Sequence, residues 1–252
     1  MPNRILDEWD NLQYAKFKKE RAEPFYDLTA LVERTQKMQI VDLGCGTGEL
    51  TAWLHKTLAA SETLGIDISD AMFNYAGNLN QIGLNFEQTD IASLNPTKKF
   101  DLVFSNAALH WIDDHTSLFG KITTWLKPDG QLAIQMPINW KQPCHSIARE
   151  LAKNTPFVES LNGYQEPPGT LQSNDYLDLL RGLGFKKTSV REKVYVHKLE
   201  SSEDIIEWLK GSLFTPFRKR LKPRLYRQFI DEYRMRLQDE IGNYAPYSFS
   251  FH

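Results

Sequence analysis

Cysteine is scarce in this 252-residue chain, which has two, Cys45 and Cys144. Two thiols do not build a disulfide framework, so a reducing compartment is expected. Cysteine and histidine do not cluster at metal-ligand spacing either. Cys144-His145 are adjacent, but nothing nearby completes a site, and no metal is expected. No apolar run approaches the ~20 residues of a membrane span. The amino terminus is polar and charged, without the apolar stretch of a secretory signal, so the cytoplasm is the expected location and no membrane partner is expected. An excess of charge is missing too. Lys+Arg number 30 and Asp+Glu 32, a net charge of −2, so no global basic excess points to nucleic acid. The one basic run, Arg218-Lys219-Arg220-Leu221-Lys222-Pro223-Arg224, reads as a solvated loop and helix start. Its alternative is a basic rim that attracts an anionic substrate. There is no internal repeat or low-complexity tract. What remains, 41% hydrophobic and 25% charged, is the composition of a globular domain large enough to bury a core without staples.

Against that background one segment stands out. Ile40-Val41-Asp42-Leu43 reads as a buried strand, Gly44-Cys45-Gly46-Thr47-Gly48 alternates three glycines, and Glu49-Leu50-Thr51-Ala52-Trp53-Leu54-His55 opens a helical pattern. A strand that turns sharply into a helix gathers free N–H groups and a positive dipole end at one point. Glycine there lets a ligand approach the main chain. The dinucleotide fingerprint G-x-G-x-x-G needs a glycine where Glu49 stands. A carboxylate repels a pyrophosphate, whereas Asp42 and Glu49 suit a cationic ligand such as S-adenosylmethionine, with its sulfonium and ammonium. Thr63-Leu64-Gly65-Ile66-Asp67 reads as a second strand ending in an acid nineteen residues after Gly48. That is the place of a ribose-binding carboxylate in a nucleotide-binding βαβ unit. Ser69 and Asp70 are the better caps for the helix that begins at Ala71-Met72-Phe73.

The periodicity predicts strands at 39–43, 63–67, 84–89, 100–106 and 131–136, with helices over 49–58, 71–80 and 118–126 between them. Alternation of this kind means a parallel sheet with right-handed crossovers. Residues 1–36 read as helical, with Trp9, Leu12, Phe17, Phe25, Leu28 and Leu31 as apolar marks. Pro128-Asp129-Gly130 reads as a turn before the fifth strand. Residues 138–172 are proline-rich and irregular apart from a helix near 145–153, as a substrate-side loop would be. A helix at 174–181, a long strand over 185–199, helices at 205–213 and 224–237, and a period-two terminal segment from Tyr247 to Phe251 complete the reading.

These motifs resemble those of a known superfamily. Asp42 through Gly48, Gly65-Ile66-Asp67-Ile68-Ser69, Asp90-Ile91 and Phe100-Asp101-Leu102-Val103-Phe104-Ser105-Asn106 are similar to the successive motifs of the Rossmann-like S-adenosylmethionine-dependent methyltransferases. Within it the chain most resembles the trans-aconitate methyltransferases, through Trp9-Asp10, Tyr14 and Phe17, Leu109-His110-Trp111, Gln135-Met136-Pro137, Asn139-Trp140 and Pro143 through Glu150. Thr47 stands where that family often has proline, and His110 where glutamine is common. The resemblance covers nearly the whole chain. It implies an α/β fold, a Rossmann-like, mostly parallel sheet with helices on both faces, a helical N-terminal lid and a C-terminal helical cap. It also implies one domain divided into a lid (1–36), a cofactor-binding core (37–137) and substrate-side loops, helices and final strands (138–252). The superfamily ends with an antiparallel strand inserted at the sheet edge, of which the terminal segment resembles the beginning, so the last strand is expected to be incomplete.

The resemblance further assigns roles. Asp42, Gly44, Cys45, Gly46 and Gly48 would cradle the cofactor, and Asp67, Ile68 and Met72 would hold its nucleoside. Asp90 would receive the adenine amino group, with Ile91 at the ring edge, and main-chain groups of Asn106 and Ala107 would meet the methionine part. Trp9, Tyr14 and Trp111 would wall the sulfonium, since aromatic faces attract cations. The substrate candidates are His110, Trp111, Asn139, Trp140, His145 and Arg149. The last two are spaced to share a helix face. No residue is a certain catalyst. A carboxylate with a pKa near ~4 is ionised at neutrality and needs no base, so His110 and Trp111 are expected to position it. The expected activity is carboxyl O-methylation of a small polycarboxylic acid such as trans-aconitate. Two alternatives stay open: methylation of a malonyl group on an acyl carrier protein in biotin synthesis, and a non-catalytic nucleotide-binding regulatory module.

Overall fold

The computed structural model describes residues 18–164, 166 and 169–252, with the backbone alone for Lys18, Ala71 and Phe251. Strands β1 (Gln39–Leu43), β2 (Glu62–Asp67), β3 (Leu84–Gln88), β4 (Phe100–Asn106) and β5 (Leu126–Gln135) form a five-stranded sheet in the order β3-β2-β1-β4-β5. Every pairing in it is parallel. The chain steps outward from β1 through β2 to β3, then returns to lay β4 on the other side of β1. That reversal opens a crevice at the carboxyl ends of β1 and β4, where open α/β sheets bind ligands.

Strand alternation sends side chains to both faces, and helices cover both. Ile40, Leu102 and Phe104 pack with Phe25 of α1 (Lys18–Ala30) and Leu54 of α2 (Glu49–Thr57). The Phe25 and Phe104 rings lie 4.8 Å apart. Val41, Leu43, Ile66 and Val103 face Leu118, Phe119 and Ile122 of α4 (His115–Thr123) and Tyr176 of α7 (Ser173–Gly182). α3 (Asp70–Ala76) covers Phe86 of β3 through Ala76, and Ser69 caps it, its hydroxyl accepting from the Met72 N–H. Each large apolar side chain buried this way contributes ~1.5–3 kcal/mol.

A second apolar cluster is built by α5 (Pro143–Ala152), α6 (Phe157–Ser160), α8 (Asp204–Lys210), α9 (Thr215–Arg220) and α10 (Pro223–Ile241). It includes the fully buried Phe157, Phe214, Phe229 and Tyr233. α1 ties it to the sheet. Arg21 donates to the Trp208 carbonyl at 2.8 Å, and Tyr195 donates to Asp27 at 2.8 Å. Among the described residues no helix is long and apolar enough to cross a membrane.

Four sequence expectations are corrected. Pro128-Asp129-Gly130 lies inside β5 rather than before it. Pairing jumps from Phe100–Leu126 to Leu102–Gln131, so the turn is absorbed as a bulge, with Asp129 at φ +61°. The long strand over 185–199 shrinks to β6 (Tyr195–Leu199), because β7 (Tyr247–Phe251) offers just five pairing positions. β7 itself does not enter the main sheet. It pairs antiparallel with β6 and turns Phe249 into the helical cluster. Finally, Arg218, Lys219 and Arg220 belong to α9 rather than a loop, because Phe217 anchors that turn in the core.

Candidate active site

The glycine loop follows β1 and has three residues at positive φ, Gly44 (+80°), Gly46 (+56°) and Gly48 (+77°). A Cβ on Gly44 would stand 2.2 Å from the Ala108 Cβ, and one on Gly48 would stand 2.7 Å from the Phe86 ring. The loop is therefore pressed on one side against the segment that follows β4 and on the other against β3. The N–H groups of Gly44 and Cys45 both donate to the Ile66 carbonyl, at 2.8 and 2.9 Å. Asp67 closes the loop. Its Oδ2 accepts from the Gly46 N–H (2.8 Å) and its Oδ1 from the Ser69 N–H (2.9 Å). A carboxylate offers about four lone-pair positions, so each oxygen retains acceptor capacity.

Asp42 lies beneath, 1% exposed, and accepts from the Thr51 hydroxyl at 2.6 Å. Burial pushes its carboxyl up to about 7; the Thr51 hydrogen bond opposes this and the Asp67 charge adds to it. The Asp67 charge thus opposes ionisation of Asp42, and a cation placed beside the two acids relieves that opposition. Cys45 is no nucleophile. Burial, with Asp42 and Asp67, raises its thiol far above the ordinary range. Ile68 is exposed and Met72 buried on either side of the Ser69 cap. Asp90 is exposed and caps its own turn through the Ala92 N–H (2.9 Å), while Ile91 packs into the core.

Asn106 and Gln135 are paired across β4 and β5 at their carboxyl ends. Ala107, at φ +51°, donates its N–H to the Gln135 carbonyl at 3.0 Å. The chain then makes a tight turn at Leu109–Trp111. Three buried polar atoms here have no hydrogen-bond partner among the described residues: Asn106 Oδ1, Gln135 Oε1 and His110 Nδ1. Buried polar groups are ordinarily paired, and each orphan costs ~1–3 kcal/mol. Such a set at one strand edge is what a polar ligand completes. Burial lowers the His110 pKa to about 3, with His115 and His145 acting in the same direction, so His110 is a neutral imidazole. His115 holds the turn, with Nε2 3.0 Å from the Leu109 carbonyl and Nδ1 bonded to the Tyr176 hydroxyl. Trp111 is 46% exposed beside His110, ring centroids 4.8 Å apart.

Beyond β5, α5 brings the remaining candidates together. The Arg149 guanidinium lies over the Trp140 ring at 4.4 Å, and His145 sits one turn earlier on the same helix. His145 Nδ1 is 2.9 Å from Glu166 Oε1, and Arg149 Nη1 is 3.3 Å from Glu166 Oε2. Asn139 is turned elsewhere. It is buried, and its Oδ1 accepts from the His252 N–H at 2.7 Å. Trp9 and Tyr14 lie outside the described residues. The sequence reading gave no site role to Glu166, Gln135 or His115. Gln135 had a signal, a polar side chain closing the apolar run Leu132-Ala133-Ile134; Glu166 had none. Two surface depressions, around Trp53 and His55 and around Arg34 and Lys37, lie at the amino edge of the strands, away from the candidate residues.

Residues 34–184 match the family described as a methyltransferase domain. The trans-aconitate 2-methyltransferase of Deinococcus radiodurans is 38% identical over 249 residues, covering 96% of this chain and 95% of its own. That of Methylobacterium nodulans is 34% identical, covering 93% and 90%. The chain belongs to this family of methyltransferases. In fold it is similar to a methyltransferase structure from Bacillus halodurans, with a TM-score of 0.57 at 14% identity over 91% of this chain and 95% of that one. The methyltransferase's own residues fit S-adenosylmethionine. The Gly44 and Gly48 cradle admits no Cβ, Asp67 stands at the carboxyl end of β2, and two acids await a positive charge. The orphaned Asn106 and Gln135 oxygens can accept from an ammonium.

Proposed function

We propose that this methyltransferase moves the methyl group of S-adenosylmethionine onto a carboxylate of trans-aconitate or a closely similar polycarboxylic acid, forming a methyl ester. The relatives' activity supports this reading. The observation that carries it is the cationic corner beyond β5, where Arg149 stacks on Trp140 with His145 one turn away. His110 follows Ala108, against which the glycine loop is pressed. A polycarboxylate needs that arrangement: cations for the carboxylates that do not react, and a neutral donor for the one that does.

When bound, S-adenosylmethionine supplies a methyl carbon made electrophilic by its sulfonium. Asp67 and the glycine loop orient the nucleoside, and Asp42 favours the cationic end. His110, neutral across the physiological range, orients the acid without stripping its nucleophilicity by full ion pairing. The acid arrives ionised, so the chain supplies positioning rather than a base. Orientation of this kind is worth up to ~7–11 kcal/mol. Residues 1–36, with Trp9 and Tyr14, belong to this proposal as the cover of the cofactor, and the cytoplasm as its setting.

The test is methyl transfer from labelled cofactor to trans-aconitate, citrate, a monocarboxylate and a malonyl-carrier protein. The expected result is labelling of trans-aconitate, with Arg149→Ala raising KM ~10-fold or more and leaving cofactor affinity intact. Labelling confined to the carrier-bound acid overturns the assignment.

A further inference from the structure

The two side chains assigned to the substrate's carboxylates already have a carboxylate on them. Glu166 reaches both, with one oxygen 2.9 Å from His145 and the other 3.3 Å from Arg149. All three side chains are sheltered, 15–18% exposed. Glu166 comes from a loop, 17 and 21 residues along the chain from its partners. Its hold on Arg149 is a single contact of 3.3 Å, not the two-pronged grip of which a guanidinium is capable. A guest carboxylate gripping Arg149 with both oxygens would make the stronger bond.

We propose that Glu166 is an internal stand-in for the substrate's remote carboxylate, occupying the His145–Arg149 subsite until a polycarboxylate displaces it. This rests on the polycarboxylate reading above. Glu166 neutralises Arg149 while no acid is present, avoiding an uncompensated buried charge. It also competes with every acid that enters, because two carboxylates a few ångströms apart repel strongly at the effective dielectric of such a site. A purely structural role predicts the opposite sign. If Glu166 merely braced Arg149 and His145 for the substrate, removing its charge would weaken anion binding.

The experiment uses tricarballylate, a saturated tricarboxylate, titrated calorimetrically into the S-adenosylhomocysteine complex, which cannot transfer methyl. Glu166→Gln and Glu166→Ala are each compared with the native protein. The same change is also made in an Arg149→Ala background. The expected result is binding ~10-fold tighter in both Glu166 variants, with the gain abolished once Arg149 is absent. Unchanged or weaker binding in both variants, or no binding in any protein, overturns the proposal. If the gain is seen yet trans-aconitate is not methylated by the native enzyme, the substrate reading falls and the stand-in role of Glu166 stands.

Discussion

Asp42 couples the cofactor site to stability in a way that a single substitution exposes. Its carboxyl is buried to 1% exposure and pushed up to about 7 from the ordinary 3.8. Between those pH values the folded protein keeps a proton that the unfolded chain has lost. The group's contribution is therefore complete below about pH 4, declines as the pH rises to about 7, and is gone above that. At ~1.36 kcal/mol for each tenfold change in proton affinity, the span is worth about 4 kcal/mol. Asp42→Asn removes the charge and keeps an acceptor for the Thr51 hydroxyl. In urea unfolding without cofactor the variant is expected to be more stable than the native protein at pH 8, by ~2–4 kcal/mol. The advantage should shrink steadily toward pH 4–5. Cofactor affinity should move the other way, since the variant has lost an acid beneath the loop that would hold a cation. Native binding at pH 6.5 should also release a proton, visible when calorimetry is repeated in buffers of different ionisation enthalpy. A variant destabilised to the same extent at pH 5 and pH 8 would refute this reasoning.

Three further outcomes follow from the same geometry. Gly44→Ala should cost ~2–4 kcal/mol in urea unfolding and abolish cofactor binding, because strained φ and a 2.2 Å clash with Ala108 act together. Gly46→Ala, with nothing among the described residues within 4 Å, should cost ~1 kcal/mol from φ alone; equal losses at the two positions would show that packing against Ala108 is irrelevant. Asp67→Ala should weaken S-adenosylmethionine binding by ~1.5–3 kcal/mol by calorimetry, through loss of a charged acceptor and release of the Gly46 and Ser69 N–H groups; unchanged affinity would remove Asp67 from the cofactor site. His110→Asn should lower kcat/KM ~10–100-fold without moving any limb of its pH profile between 5.5 and 8.5, since His110 stays neutral there. Disappearance of a limb near 6.5 would mean that His110 titrates in catalysis.

Much of this protein is written locally. β1 and β4 fall at the boundaries that periodicity predicts, 39–43 and 100–106, because a short apolar run bounded by turn residues has few other ways to bury itself. The glycine loop and Asp67 were legible for a similar reason. Only glycine adopts three positive φ values in five residues so cheaply, and a βαβ unit fixes the distance to the next strand's end. His145 and Arg149 could be placed on one face because four residues make about one helical turn.

What lay beyond reach depends on partners distant in the chain. Phe185–Val194 alternates as a strand should, yet forms none, because a strand exists only where another backbone pairs with it and β7 reaches just Tyr195–Leu199. The same pairing draws β7 away from the main sheet. Glu166 belongs to the cationic corner through loop geometry, with no period to announce it. Asn106 and Gln135 become a pair of buried oxygens without a partner among the described residues through the register of β4 on β5. Residue type and short-range spacing alone thus determined β1 to β4, the cofactor loop and the chemistry it suits. The tertiary structure alone decided which charges meet, which polar atoms stay unsatisfied and how far Asp42 and His110 depart from their ordinary ionisation. Those quantities are set by desolvation and by distances across the fold, and a linear sequence specifies neither.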